Sequence, residues 1–140
     1  MNKIGVIWVI DDDEIYRFAI RLILKRANIT ELTEFFNNGK VALDRLLGQI
    51  AQGGQLPDLI LLDLNMPVLD GWQFLDAYRK LKLNLAKPVV IYLVSSSIDE
   101  EDKNQAKSND DVSGLIVKPI SIKDIQNILS EFQENSPTGM

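Results

Sequence analysis

Two rhythms of apolar and polar positions alternate along this chain. Residues 4–10 form an apolar run broken only by Gly5, which predicts a buried strand, and Ile15, Phe18, Ala19, Leu22 and Ile23 then recur at helical spacing. A short strand follows at 31–36. The next helix is predicted from Gly39 to Gln52, with Val41, Ala42, Leu46, Leu47 and Ile50 apolar and Gly53 and Gly54 closing it. Asn37 and Asn38 read as a loop and helix start without chemistry. The stretch from Leu47 to Pro57 is long, which suggests an extended second helix or loop.

Leu59 to Leu62 is a third strand, and the turn signals Asn65, Met66, Pro67, Asp70 and Gly71 lead to a helix carrying Phe74, Leu75, Tyr78 and Leu81. Trp72, Phe74 and Tyr78 read as core, with Trp72 partly exposed. Pro88 opens a fourth strand, Val89 to Val94, which stops at three serines, Ser95 to Ser97. Residues 99–108 are mostly polar, with Ile98 and Ala106 the only apolar neighbours, so a helix there is weakly anchored and mobile. Leu115 to Val117 predicts a short fifth strand ahead of Lys118 and Pro119. The last helix carries Ile122, Ile125, Ile128, Leu129 and Phe132 on one face. One domain over residues 1–134 and a short frayed tail at 135–140 are expected. Five strands alternating with five helices through right-handed connections give an α/β fold, a parallel sheet covered on both faces.

Composition narrows the chemistry mainly by what is missing. At 140 residues, 46% hydrophobic and 25% charged, the chain is an ordinary globular domain. Its net charge of −5, with no Lys/Arg run, argues against direct nucleic-acid contact. With no cysteine and no histidine, disulfides, thiolate or His-based zinc sites, serine–histidine triads and an internal phosphohistidine are all excluded. No apolar stretch of membrane-spanning length or cleavable leader is visible, so a cytoplasmic location without membrane contact is expected.

What remains is concentrated at strand ends. The first strand closes on Asp11, Asp12 and Asp13 and the third on Asp63. Ligands of open α/β sheets bind outside the carboxyl ends of the strands, so neighbouring strands would bring these acids together. Such a cluster needs a cation or strongly raised pKa values. The fourth strand ends at Ser95 and the fifth at Lys118. A carboxylate nucleophile, a hard divalent cation, a lysine and a hydroxyl are the inventory of phosphoryl transfer, and Mg²⁺ suits it because few carboxylates plus phosphate complete its shell. Simpler readings stand beside these: Asp13 as a helix cap, Ser96 in place of Ser95, and Lys118 as a turn lysine.

Val9-Ile10-Asp11-Asp12, then Leu61-Leu62-Asp63-Leu64-Asn65-Met66-Pro67 with Asp70-Gly71, then Val94-Ser95-Ser96 and Val117-Lys118-Pro119 together resemble the receiver domain of two-component response regulators, over residues 4 to about 133. The resemblance implies a flavodoxin-like (βα)5 doubly wound sheet of strand order 2-1-3-4-5. It implies that Asp63 accepts a phosphoryl group from a sensor histidine kinase or a histidine phosphotransfer protein. Asp12, Asp63 and the Asn65 carbonyl would hold Mg²⁺, with Asp11 acting through water. Ser95 would bond the phosphoryl oxygen, Lys118 would pair with the acyl phosphate, and the Lys118-Pro119 bond would be cis.

One departure is Leu115, where many receivers place Tyr or Phe; another is serine in place of threonine at the switch hydroxyl. The expected function is a stand-alone phosphoacceptor that switches contacts with a downstream protein. The alternatives are a phosphorylation-independent pseudo-receiver and a Mg²⁺-dependent phosphatase. The latter is disfavoured because Asn65, not an acid, stands two residues past the nucleophile.

Overall fold

The computed structural model describes residues 3–134. In chain order its elements are β1 (Ile4–Ile10), α1 (Glu14–Ala27), β2 (Thr30–Phe36), α2 (Gly39–Gln52) and β3 (Leu59–Asp63). Then come α3 (Gly71–Leu81), a single 3-10 turn (Lys82–Asn84), β4 (Val90–Ser95), α4 (Glu100–Lys107), β5 (Val112–Val117) and α5 (Ile122–Glu134). All strand pairs are parallel, in the order β2-β1-β3-β4-β5. This is the predicted flavodoxin-like sheet. The expected tail at 135–140 lies outside the described residues.

Each helix starts where a side chain can take up its free N–H groups. Asp13 Oδ1 accepts from Ile15 N and Tyr16 N, at 2.9 and 3.2 Å, and so is the cap the sequence suggested. Asn38 caps α2. Asp70 with Gln73 and Asp99 with Asp102 form reciprocal capping boxes on α3 and α4. At the far ends, Asn28 and Gly53 take left-handed backbone, φ 52° and 71°, and stop α1 and α2.

Alternation along β1 divides the core in two. Val6, Trp8 and Ile10 face α2 and α3, where Leu46, Phe74 and Leu75 are buried; Ile7 and Val9 face α1 and α5, against Ile20, Leu24 and Ile125. Trp8 is fully buried, with its ring centroid 4.6 Å from that of Phe36. Fully burying one such large side chain contributes roughly 1.5–3 kcal/mol, so the middle of the sheet carries much of the stability.

Two elements depart from the pattern read in the sequence. Of the helical stripe Ile15, Phe18, Ala19, Leu22 and Ile23 only Ile23 packs on the core, while Ile15, Phe18 and Leu22 are 81%, 62% and 51% exposed. The side that packs carries Ile20 and Leu24, flanked by Tyr16, Ile23 and Ala27. α1 is apolar on two arcs, and period alone does not say which one meets the sheet. β5 begins at Val112 rather than Leu115. Ser113 and Gly114 interrupt its apolar run, and glycine is required there because a Cβ would lie 2.6 Å from the Tyr92 ring. The β4–β5 register shifts at the same place. As the sequence predicted, α4 buries no side chain.

Candidate functional site

The carboxyl edge of the sheet gathers the predicted residues. β1 delivers Asp11, 1% exposed, and then the exposed Asp12; β3 ends on Asp63, 4% exposed. Asp11, Asp12 and Asp63 each offer a carboxylate oxygen within 4.8 Å of the others. Local hydrogen bonds fix the two buried acids: Asp11 Oδ1 accepts from Asp13 N at 2.8 Å, and Asp63 Oδ1 from Asn65 N at 3.1 Å.

Lys118 reaches them from the end of β5. Its Nζ lies 2.8 Å from Asp11 Oδ2 and 3.3 Å from Asp63 Oδ2, and its backbone N–H donates to the Ser95 carbonyl at 2.9 Å. The Lys118-Pro119 bond is cis, as the resemblance implied. Ser95 is fully buried; its Oγ accepts from Asn65 Nδ2 at 2.9 Å and donates to the Ser97 carbonyl at 3.0 Å. Ser96 is exposed and makes no such link to Asn65, so the two candidate hydroxyls are separated by geometry.

The loop after Asp63 is held tightly. Gly71 starts α3 against it, and a Cβ there would stand 2.8 Å from both the Asp63 carbonyl oxygen and Leu64 Cα. Leu69 N donates to the Pro67 carbonyl at 2.7 Å across Val68, whose φ is +71°. That is a tight three-residue turn in a backbone region costly for a β-branched residue, and the Val68 side chain is 76% exposed.

Charge is unbalanced here. Burial first, and then the neighbouring Asp11, push the Asp63 carboxyl up to about 6, with the Asn65 backbone and Lys118 opposing. Burial works against the Lys118 ammonium, but its hydrogen bonds and attraction to Asp11 and Asp63 outweigh it and hold the lysine above its ordinary range. Three carboxylates are gathered here, and Lys118 contacts two of them. The donor set is all oxygen and is short of positive charge, which fits a hard divalent cation such as Mg²⁺.

Two neighbours of the site escaped the sequence reading. Arg17 Nη1 donates to the Asp11 carbonyl at 2.6 Å, and the Tyr16 ring lies beneath Lys118, its centroid 4.3 Å from Nζ. The only available signal was position: both lie in the first turn of the helix that follows the acids. Leu115, where an aromatic was missed, lines an open cleft of about 800 Å³ between α4 and β5 with Ile98, Ala106, Val112 and Gly114.

Known proteins are similar to this chain in fold or sequence. A two-component response regulator from Cytophaga hutchinsonii superposes with a TM-score of 0.88 at 27% identity, covering 96% of this chain and 100% of that one. The probable methanogenesis regulatory protein FilR2 of Methanothrix harundinacea is 31% identical over 129 residues, 92% of this chain and 81% of FilR2. The DNA-binding transcriptional regulator NtrC of Escherichia coli is 28% identical over 93% of this chain, which spans only 26% of NtrC. Among the described residues no helix is long and apolar enough to cross a membrane. Residues 7–130 match the response regulator receiver domain, and with the sheet order and the acidic edge this chain belongs to that family.

Proposed function

We propose that this receiver accepts a phosphoryl group on Asp63 from the phosphohistidine of a sensor kinase or phosphotransfer protein, and that the modification switches its contacts with a downstream protein. The observation that carries this reading is the meeting of Asp63, Asp11, Asp12 and Lys118 at one sheet edge, with a buried carboxylate inside a charge-deficient pocket. Receiver domains as a family are signalling modules that receive phosphoryl groups from histidine kinases.

The transfer balances with the residues present. A carboxylate oxygen of Asp63 attacks phosphorus, the P–N bond to the donor imidazole breaks, and the ring nitrogen keeps the electron pair. Lys118 Nζ, already 3.3 Å from Asp63 Oδ2, neutralises charge on the transferred group. Ser95 Oγ, now engaged with Asn65 and Ser97, is the nearby hydroxyl that would turn to a phosphoryl oxygen. Mg²⁺, bound through Asp12, Asp63 and the Asn65 carbonyl with Asp11 through water, would supply the remaining positive charge. Asn65 is no base for an attacking water, so the acyl phosphate persists for partners to read.

A donor protein also needs a surface to dock on. The exposed Ile15, Phe18 and Leu22 of α1 form an apolar stripe whose first residue follows the acids by only a few positions, which supports docking there. Incubation with acetyl phosphate and Mg²⁺, followed by intact mass, should reveal an acid-labile phosphate adduct on the parent and none on Asp63→Asn. An unmodified parent would sink the reading. The phosphorylation-independent alternative draws on one observation, Leu115 in place of an aromatic beside an open cleft; amide spectra unchanged by beryllofluoride and Mg²⁺ would favour it.

A further inference from the structure

The ammonium of Lys118 is held by two kinds of contact. It contacts two carboxylates, those of Asp11 and Asp63 at 2.8 and 3.3 Å, and the face of the Tyr16 ring, 4.3 Å from Nζ, provides a third contact. Only 15% of the Lys118 side chain is exposed, so little water competes with the ring. A cation over an aromatic face is attracted by the ring quadrupole, and the attraction grows as water is excluded.

Tyr16 is itself firmly placed. Its backbone N–H donates to the Asp13 cap at 3.2 Å, and its side chain packs against the core between α1 and α5. Burial, followed by the charges of Asp11 and Asp63, pushes its phenol far up, so the ring stays neutral. A lysine stem has several rotatable bonds and two carboxylates to choose between. The ring restricts that choice.

We infer that Tyr16 is a positioning residue for Lys118, holding the ammonium against Asp11 and Asp63, and that its ring registers the displacement of that ammonium when Asp63 carries a phosphoryl group. The inference rests on the reading of Asp63 as phosphoacceptor. Phosphorylation moves the negative charge outward from the Asp63 carboxyl, and the ammonium that follows it leaves the ring face. The aromatic beside the lysine then stands on α1, on the opposite face of the sheet from Leu115 and one residue from the exposed Ile15. A chain with leucine at 115 thereby keeps an aromatic contact to its lysine.

NMR spectra of the full chain test this together with phosphorylation rates. Ring current should shift the ε-methylene protons of Lys118 upfield in the parent and in Tyr16→Phe but not in Tyr16→Leu, and beryllofluoride with Mg²⁺ should move the Tyr16 ring signals. Uptake from acetyl phosphate should slow about tenfold in Tyr16→Leu and stay within about twofold of the parent in Tyr16→Phe. Unshifted Lys118 protons in the parent would overturn the inference without any variant. So would a Tyr16→Leu rate equal to the parent's, or a Tyr16→Phe rate as slow as that of Tyr16→Leu. A parent that takes up no phosphate sinks the phosphoacceptor reading and the sensing half of the inference, while the Lys118 shift in the free protein still decides the positioning half.

Discussion

β1 and β3 lie at the middle of the sheet with both faces covered, and nearly every residue of the two strands is buried. β5 lies at the rim, its side chains half-buried or exposed, beside an α4 that buries none. The site draws on both regions: its buried acids come from the covered centre and its lysine from the more exposed flank. In the phosphoacceptor reading proposed above, a buried anionic pocket facing a cation from the less buried rim would let a change of charge at Asp63 be felt at the edge of the sheet.

The largest test of that contrast compares truncations in the two regions. Trp8→Ala should cost about 3–5 kcal/mol in urea unfolding and Leu115→Ala only about 1 kcal/mol, because one leaves a sealed cavity and the other widens an open cleft. Equal costs would break the comparison, as would amide protons of α4 and β5 that exchange as slowly as those of β1 and β3. Gly71→Ala probes the centre from the loop side. The added Cβ has two backbone atoms 2.8 Å away, which cannot swing aside as the Leu64 side chain could, so a loss of roughly 1–3 kcal/mol is expected.

A smaller effect comes from charge. The Asp63 carboxyl titrates near 3.8 when unfolded and near 6 when folded, so between those values the folded chain holds the extra proton. Its contribution to stability therefore declines as pH rises through that window. With divalent cations chelated, urea midpoints of the parent should fall between pH 4.5 and 6.5 relative to those of Asp63→Asn; parallel profiles would mean that the pocket imposes no such penalty. The smallest change is at Val68. Glycine accepts its φ of +71° without strain, and the relief offset by added chain entropy leaves Val68→Gly about 1 kcal/mol more stable.

The same contrast governs what the sequence disclosed. Centre strands buried on both faces read as near-continuous apolar runs, and β1 was placed at Ile4–Ile10 and α2 at Gly39–Gln52 from pattern alone. Asp11, Asp63, Ser95 and Lys118 were legible because each ends a strand, and topology then brings them together. At the flank the signal weakens: Ser113 and Gly114 hid the start of β5, since the need for glycine at 114 depends on the Tyr92 ring of the adjacent strand. Which face of α1 is buried was not legible, because both arcs are apolar. Tyr16 was missed because its role depends on where a lysine about a hundred positions later comes to lie.

The order in which the chain is made adds a consequence of the strand order. Asp11 emerges first at the end of β1, which β2 and β3 flank on either side, and the cation arrives last, just after β5. A nascent chain that has yet to deliver Lys118 leaves two buried acids without their counter-ion. The pocket is thus completed only with the final strand. In a growing polypeptide, the acidic edge receives its lysine at the same moment as the sheet becomes complete.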